Sequence, residues 1–163
     1  MPGCRSEETI LSAQQFDSAD PQITHRRYAH VLGYAGAAFV PALLVLAWLT
    51  PDTADVIRRV IVIYGGAILA FLGGIQWGLS VSSGNARVQL RRLVASMLPP
   101  LWSVVALSLP VILCTLILLV GLSVQLVYEW LERGDGIYPV WYLPLRLQLT
   151  TALMAGLALS LLL

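Results

Sequence analysis

Residues 93–128, bounded by Arg92 and Glu129, form a run of 36 positions without one charged side chain. Three further uncharged, strongly apolar blocks accompany it, at Val31–Thr50, Val60–Ala86 and Leu147–Leu163. A water-soluble domain has no use for such blocks. A bilayer needs them, because its hydrocarbon core is about 30 Å thick and takes ~20 residues of helix to cross. Backbone amides have no water partners there, so each crossing must satisfy its own hydrogen bonds as a helix. The sequence therefore reads as an all-α integral membrane protein, a bundle of about five transmembrane helices.

Composition agrees. Only 12% of residues are charged and 58% are hydrophobic, against roughly 25% charged in ordinary globular domains. A net charge of +1 offers no field for nucleic acid. All ten cations are arginine, which reads as genome composition and not as anion recognition. Cys4 and Cys114 form no C-x-x-C motif or Cys/His cluster, so neither a metal nor a cofactor is expected. A disulfide between them would pin a polar tail to a helix in lipid, and none is expected.

Residues 1–27 read as a polar cytoplasmic tail, poorly ordered up to about Thr24. It carries Glu7, Glu8, Asp17 and Asp20. Acids do not suit a mitochondrial transit peptide, and no basic stretch precedes a short apolar core as a secretory signal requires. Residues 28–163 read as one transmembrane domain, with spans at about 31–50, 60–82, 93–109, 111–128 and 145–163.

Pro41 in the first span removes an internal hydrogen bond and predicts a kink. In the second span Gly66, Ala70, Gly74 and Gly78 recur every four residues. Small side chains in that register let helices approach closely in lipid, so this stripe is expected to be the packing face of a central helix. The turn Ser82–Asn85 follows. The 36-residue block reaches ~54 Å as a single helix, too long for one crossing and slightly short for two with a loop. Pro110 is the natural hinge of a tight hairpin between spans 3 and 4, and Pro99-Pro100 is expected to break its first arm. Glu129–Pro144, with Tyr138, Trp141 and Tyr142, reads as an interfacial stretch.

Arginine counting gives an orientation. The tail and the 84–92 and 129–146 loops would share one side with eight arginines, against Arg58 and Arg59 opposite. This places the amino terminus in the cytoplasm and the carboxyl terminus outside a bacterial inner membrane.

Chemistry has few footholds. The proposed membrane cores hold no ionisable group, which argues against proton coupling. His25 and His30, both on one side of the first span, do not make a haem site. No nucleophile–base or P-loop pattern occurs, so the chain is not expected to be an enzyme. The candidate intramembrane polar site is Gln76 with Ser80 and Tyr64, and Gly73 lies on the same helical face as Gln76. Gln76 is expected to clamp another helix through backbone or through Tyr64, Ser103 or Gln125, the alternative being contact with a lipid headgroup or a quinone-like carbonyl. Arg87, Arg91 and Arg92 form the densest basic patch, a topology signal that could also recruit anionic lipid. Trp141, Tyr142 and Arg146 are assigned to the headgroup level, with Arg146 snorkelling to phosphates.

Three strings together resemble a known family: Leu32–Pro41 (L-G-Y-A-G-x-x-x-x-P), Tyr64–Gly78 (Y-G-G-A-I-L-A-F-L-G-G-I-Q-W-G) and Pro139–Thr150 (P-V-W-Y-L-P-L-R-L-Q-L-T). They resemble the domain of unknown function 3429 family, to which the eukaryotic transmembrane protein 69 is related. The central string is the most specific, and the match covers about Tyr28 to Leu163. Many relatives in that pattern carry histidine where this chain has Gln76, which implies that any titrating or metal-binding role there is lost. The resemblance implies a small multispanning inner-membrane protein of bacteria or mitochondria with no established activity. Two functional expectations follow. The first is a non-catalytic accessory, scaffold or assembly subunit, whose partners are the lipid bilayer and other membrane-protein subunits. The second is a small carrier or binder of a lipid-like or apolar molecule.

Overall fold

The computed structural model describes residues 21–81, 86–135, 138 and 141–163, with side chains left aside at 21–26, 134 and 135. The expected disorder of the tail and the Ser82–Asn85 turn fall outside, save that Pro21–Thr24 are helical. Five helices carry the chain: α1 (Pro21–Leu49), α2 (Ala54–Val81), α3 (Ala86–Leu107), α4 (Val111–Leu131) and α5 (Tyr142–Leu159). Among the described residues there is no strand. All five helices are long and apolar enough to cross a membrane.

The chain divides into two compact units, Met1–Ala35 and Gly36–Leu163. In the first, the described part is the opening stretch of α1, where the rings of His30 and Tyr34 lie 6.2 Å apart. In the second, α2 is the hub. It runs alongside α3 and also touches α4 and α5. The second part of α1 joins it where Tyr64 donates a 2.8 Å hydrogen bond to the Gly36 carbonyl. Phe39 stacks at a tilt on the same tyrosine, 4.8 Å away. Val40, which packs against Gly156 of α5, and Ala47 are buried, as are Ile61, Leu69, Leu118, Leu122 and Leu157.

The first four helices are longer than hydropathy alone suggested, and the turns added to α3 and α4 are charged. α3 begins at Ala86 and so takes in Arg87, Arg91 and Arg92, while α4 runs on through Glu129. This resolves the length problem of the central hairpin: α3 and α4 have 22 and 21 residues, joined by a short turn at Ser108–Pro110.

Pro99 and Pro100 do not break α3. Each lacks an N–H, leaving the carbonyls of Ala95 and Ser96 without their usual helical donors. Within a membrane such gaps are tolerated when neighbouring groups cover them. Here α2 comes so close that a Cβ at Gly73 would sit 2.5 Å from the Ser96 carbonyl oxygen and 2.7 Å from the Pro100 ring. Ser103 then hydrogen-bonds the Pro99 carbonyl at 2.8 Å. α1 likewise runs through Pro41 as a helix.

The packing face of α2 is not the expected stripe. Gly66 is buried against Leu107, but Gly74 and Gly78 are exposed, and a Cβ at either meets nothing within 4 Å. The inward face instead carries Gly65, Gly66, Leu69, Gly73, Gln76 and Ser80. The polarity of Gln76 decides this. An amide facing hydrocarbon is costly, so the face that holds it turns inward and the all-small face is left outside.

Candidate functional site

Each of the four helices α2–α5 carries a buried stripe at helical spacing, and each stripe ends in a polar pair four residues apart. The pairs are Gln76 and Ser80 on α2, Arg92 and Ser96 on α3, Gln125 and Glu129 on α4, and Arg146 and Thr150 on α5, all buried. Side chains at i and i+4 lie one above the other on a helix face. The register brings the pairs together, because Gly73 faces Ser96, Arg92 meets Glu132, and Glu129 meets Arg146. One end of the bundle is therefore polar throughout its interior.

Glu129 is its centre and is fully buried. One carboxylate oxygen accepts from Gln125 Nε2 at 3.1 Å, the other from Arg146 Nε at 3.0 Å. Arg146 also donates through Nη1 to the Thr150 hydroxyl at 2.7 Å. A second ion cluster lies beside it. Arg92, 1% exposed, donates through Nε and Nη2 to one oxygen of Glu132 at 3.0 and 2.9 Å. The exposed Arg91 reaches the other oxygen at 2.6 Å. Two arginines thus share one carboxylate at the end of α4.

Aromatic residues close the cluster. Tyr138 and Tyr142 stack with ring centroids 5.1 Å apart, and Trp141 meets Tyr142 edge-on at 6.4 Å. The Tyr138 hydroxyl lies 2.8 Å from Gln76 Nε2 and 3.1 Å from Oε1, so one phenol engages both ends of the amide. Burial pushes the Tyr138 phenol above its ordinary range, against the opposing pull of the Gln76 hydrogen bond. Two buried atoms here, Tyr142 Oη and Arg146 Nη2, have no hydrogen-bond partner among the described residues.

Several sequence expectations are corrected by this arrangement. Arg146 does not snorkel to headgroups, and Arg92 is not a surface cation; each is buried against a glutamate. Gln76 clamps Tyr138 from the α4–α5 connection, and none of Tyr64, Ser103 or Gln125. Tyr64 binds Gly36, three turns of α2 away from Gln76. Ser80 turns back to the Trp77 carbonyl of its own helix at 2.7 Å. Arg87 and Arg91 are exposed, and Trp141 and Tyr142 are half-buried. Glu129 and Gln125 are the residues that sequence reasoning missed as a site. Glu129, expected in an interfacial stretch, is inside α4, so an ionisable group does lie within a membrane-spanning helix. The sequence-based ground for setting proton coupling aside falls with it. Spacing could have found the pair. Leu118, Leu122, Gln125 and Glu129 keep one register along α4, and Leu157, Leu153, Thr150 and Arg146 keep the same register along α5.

Chemically the site is a low-dielectric ion network with its carboxylates already claimed. Moving charges out of water costs several kcal/mol per ion, and attraction repays that only with good geometry and further hydrogen bonds. Glu129 has both.

The family model Protein of unknown function (DUF3429) matches residues 25–162, and the chain belongs to that family. No curated protein and no solved structure matches the chain.

Proposed function

We propose that this member of the family is a non-catalytic accessory, scaffold or assembly subunit of a larger membrane complex. The observation that carries the reading is the exposure of Gly74 and Gly78 on α2, the helix at the centre of the bundle. Glycine weakens a helix by about 1 kcal/mol relative to alanine, and lipid tails would pack against alanine as readily. Another helix, by contrast, gains from the close approach that Ala70, Gly74 and Gly78 permit. The polar end supports the same reading. Glu129 is held on both oxygens and Glu132 is shared by two arginines, so neither of these two carboxylates stands ready as a general base.

The proposed setting is a bacterial inner membrane. Arg87, Arg91, Arg92, Arg133 and Arg146 gather at one end of the bundle, against Arg58 and Arg59 at the other. The arginine-rich end belongs in the cytoplasm by the positive-inside rule. Five crossings then place the amino terminus on that side and the carboxyl terminus opposite.

The test is Gly74→Ile/Gly78→Ile in gently solubilised membranes, read by native mass spectrometry. The doubly substituted chain is expected to fold, since both added side chains enter open space, and to lose its protein partners. Wild-type protein that runs without a protein partner, or a variant that keeps them all, overturns the reading.

A further inference from the structure

Glu129 fixes the orientation of a neighbouring amide. A carboxylate only accepts hydrogen bonds, so the Gln125 group that meets it at 3.1 Å is the NH2, and the carbonyl Oε1 is left over. That oxygen accepts no hydrogen bond among the described residues, although Gln125 is only 6% exposed. An acceptor so deeply buried costs free energy until a donor reaches it. Gln125 lines a crevice of about 90 Å3 between α3 and α4, together with Leu69, Leu98, Trp102, Gly121 and Val124. The crevice is where a donor can come in.

Its walls select hydrocarbon. Gly121 lets the floor form, because a Cβ there would fall 2.8 Å from both Leu69 and the Trp102 indole. Trp102 commits its single N–H to the Ile117 carbonyl at 2.9 Å. Leu98, Val124 and Trp102 are exposed at the lips, and a cavity with apolar walls stays dry and takes up apolar ligands. A second acceptor stands on the α3 wall. Ala95 also lines the crevice, and its carbonyl has no helical donor because residue 99 is proline. The site therefore asks for a donor on an apolar body. It does not ask for a charge, since Glu129 is already matched by Arg146. Gln125 lies ~9 Å along α4 from the helix end at Leu131, so the donor must sit directly on the apolar body, below the helix end.

We propose that the α3–α4 crevice binds a neutral lipid alcohol of the diacylglycerol class. The free hydroxyl donates to Gln125 Oε1, and one acyl chain runs along the crevice towards Trp102. A phospholipid lacks this donor at the right depth, because its glycerol hydroxyls are esterified and its head lies beyond them, at the water interface. The proposal does not rest on the glycine face of α2 and stands if the accessory role fails.

The experiment uses the full chain in phosphatidylcholine nanodiscs doped with one photoreactive lipid at a time. The three probes carry the same acyl-chain diazirine: a diacylglycerol, its 3-O-methyl ether, and a phosphatidylcholine. Wild-type protein is expected to be labelled by the diacylglycerol chiefly in 95–102 and 121–125. Capping the hydroxyl as the ether should lower that label roughly threefold or more, the effect of one neutral hydrogen bond in a membrane. Gln125→Leu should bring the two probes level, and Val124→Trp, at an exposed lip, should fill the crevice and remove the label. Label spread evenly over the lipid-facing helices would overturn the site. Equal crevice label from diacylglycerol and ether, or from diacylglycerol and phosphatidylcholine, would overturn the alcohol and leave the crevice to bulk lipid. The wild-type comparison of the three probes decides even if a variant fails to fold.

Discussion

The two ends of the bundle use arginine in opposite ways. At one end Arg92 and Arg146 are buried, and each is matched by a glutamate from another helix or from the turn that follows it. At the other end, Arg58 caps the carboxyl end of α5 by donating to the Ser160 carbonyl at 3.0 Å. It also touches Asp55 at 3.2 Å, a side chain that is 93% exposed. The first end is a core made of charge; the second is a rim. A cation count treats both alike, since it scores residues by type and not by where their side chains go. Burial is what separates a topology signal from a structural centre.

The largest expected effect comes from breaking the buried pair. Glu129→Gln leaves Arg146 desolvated without its counter-charge, which costs about 3–5 kcal/mol. It should appear as a large loss of stability in denaturant titration in bicelles. Glu129→Leu/Arg146→Leu removes both charges, and much of the loss should return. A single substitution costing under about 1 kcal/mol would put this end in the same class as the rim.

A second comparison lies within α2, between neighbouring glycines that face opposite ways. Gly73→Ala drives a methyl into the Ser96 carbonyl and the Pro100 ring, an overpacking worth about 1–3 kcal/mol. Gly74→Ala meets open space and should be neutral or stabilising by up to about 1 kcal/mol. The same assay reads both, and equal effects would mean that the inward face has been misassigned.

These glycines also show what could be read in the sequence. The five spans were legible, because long uncharged runs have only one use. Their ends were not, because charge marks the edge of a hydropathic block, which leaves Arg92 and Glu129 outside the two central spans and Arg146 at the very opening of the last. In fact α3, α4 and α5 continue as helices through those residues, since protein and not lipid surrounds them. The Gly66–Gly78 stripe misled for a related reason: four-residue spacing marks a face suited to close packing without saying what packs there. Gln76 was the better guide to the inside, as a polar group in an apolar helix must be covered. Its partner was out of reach, because Tyr138 lies in the connection between α4 and α5, where no periodicity fixes position.

Smaller effects come from the Gln76–Tyr138 clamp. Gln76→Leu or Tyr138→Phe removes neutral hydrogen bonds, which in membranes average about 0.6 kcal/mol and reach about 1.7. The clamp adds a pH signature. Folded Tyr138 holds its proton above the ordinary tyrosine range, whereas the unfolded chain releases it near pH ~10. The unfolded state then binds fewer protons, so stability falls as pH rises above that value. Tyr138→Phe should flatten that part of the profile, and a fall of the same size in the variant would assign it to other groups.

The smallest effect belongs to the rim. Asp55 and Arg58 sit three residues apart on the first turns of α2, and an exposed pair of this kind contributes a few tenths of a kcal/mol. Asp55→Asn should therefore change stability by less than about 0.5 kcal/mol, and added salt should erase the difference, because exposed charges are screened within about 10 Å at 0.1 M. Glu129→Gln should lose the same amount at low and high salt, since its pair is closed to ions. Salt thus distinguishes the two ends where a stability difference alone could be argued either way. If Asp55→Asn proved large and salt-resistant, Arg58 would owe its grip on the Ser160 carbonyl to Asp55. The carboxyl end of α5 would then be held by a charge network of its own, and the contrast between core and rim would no longer describe this bundle.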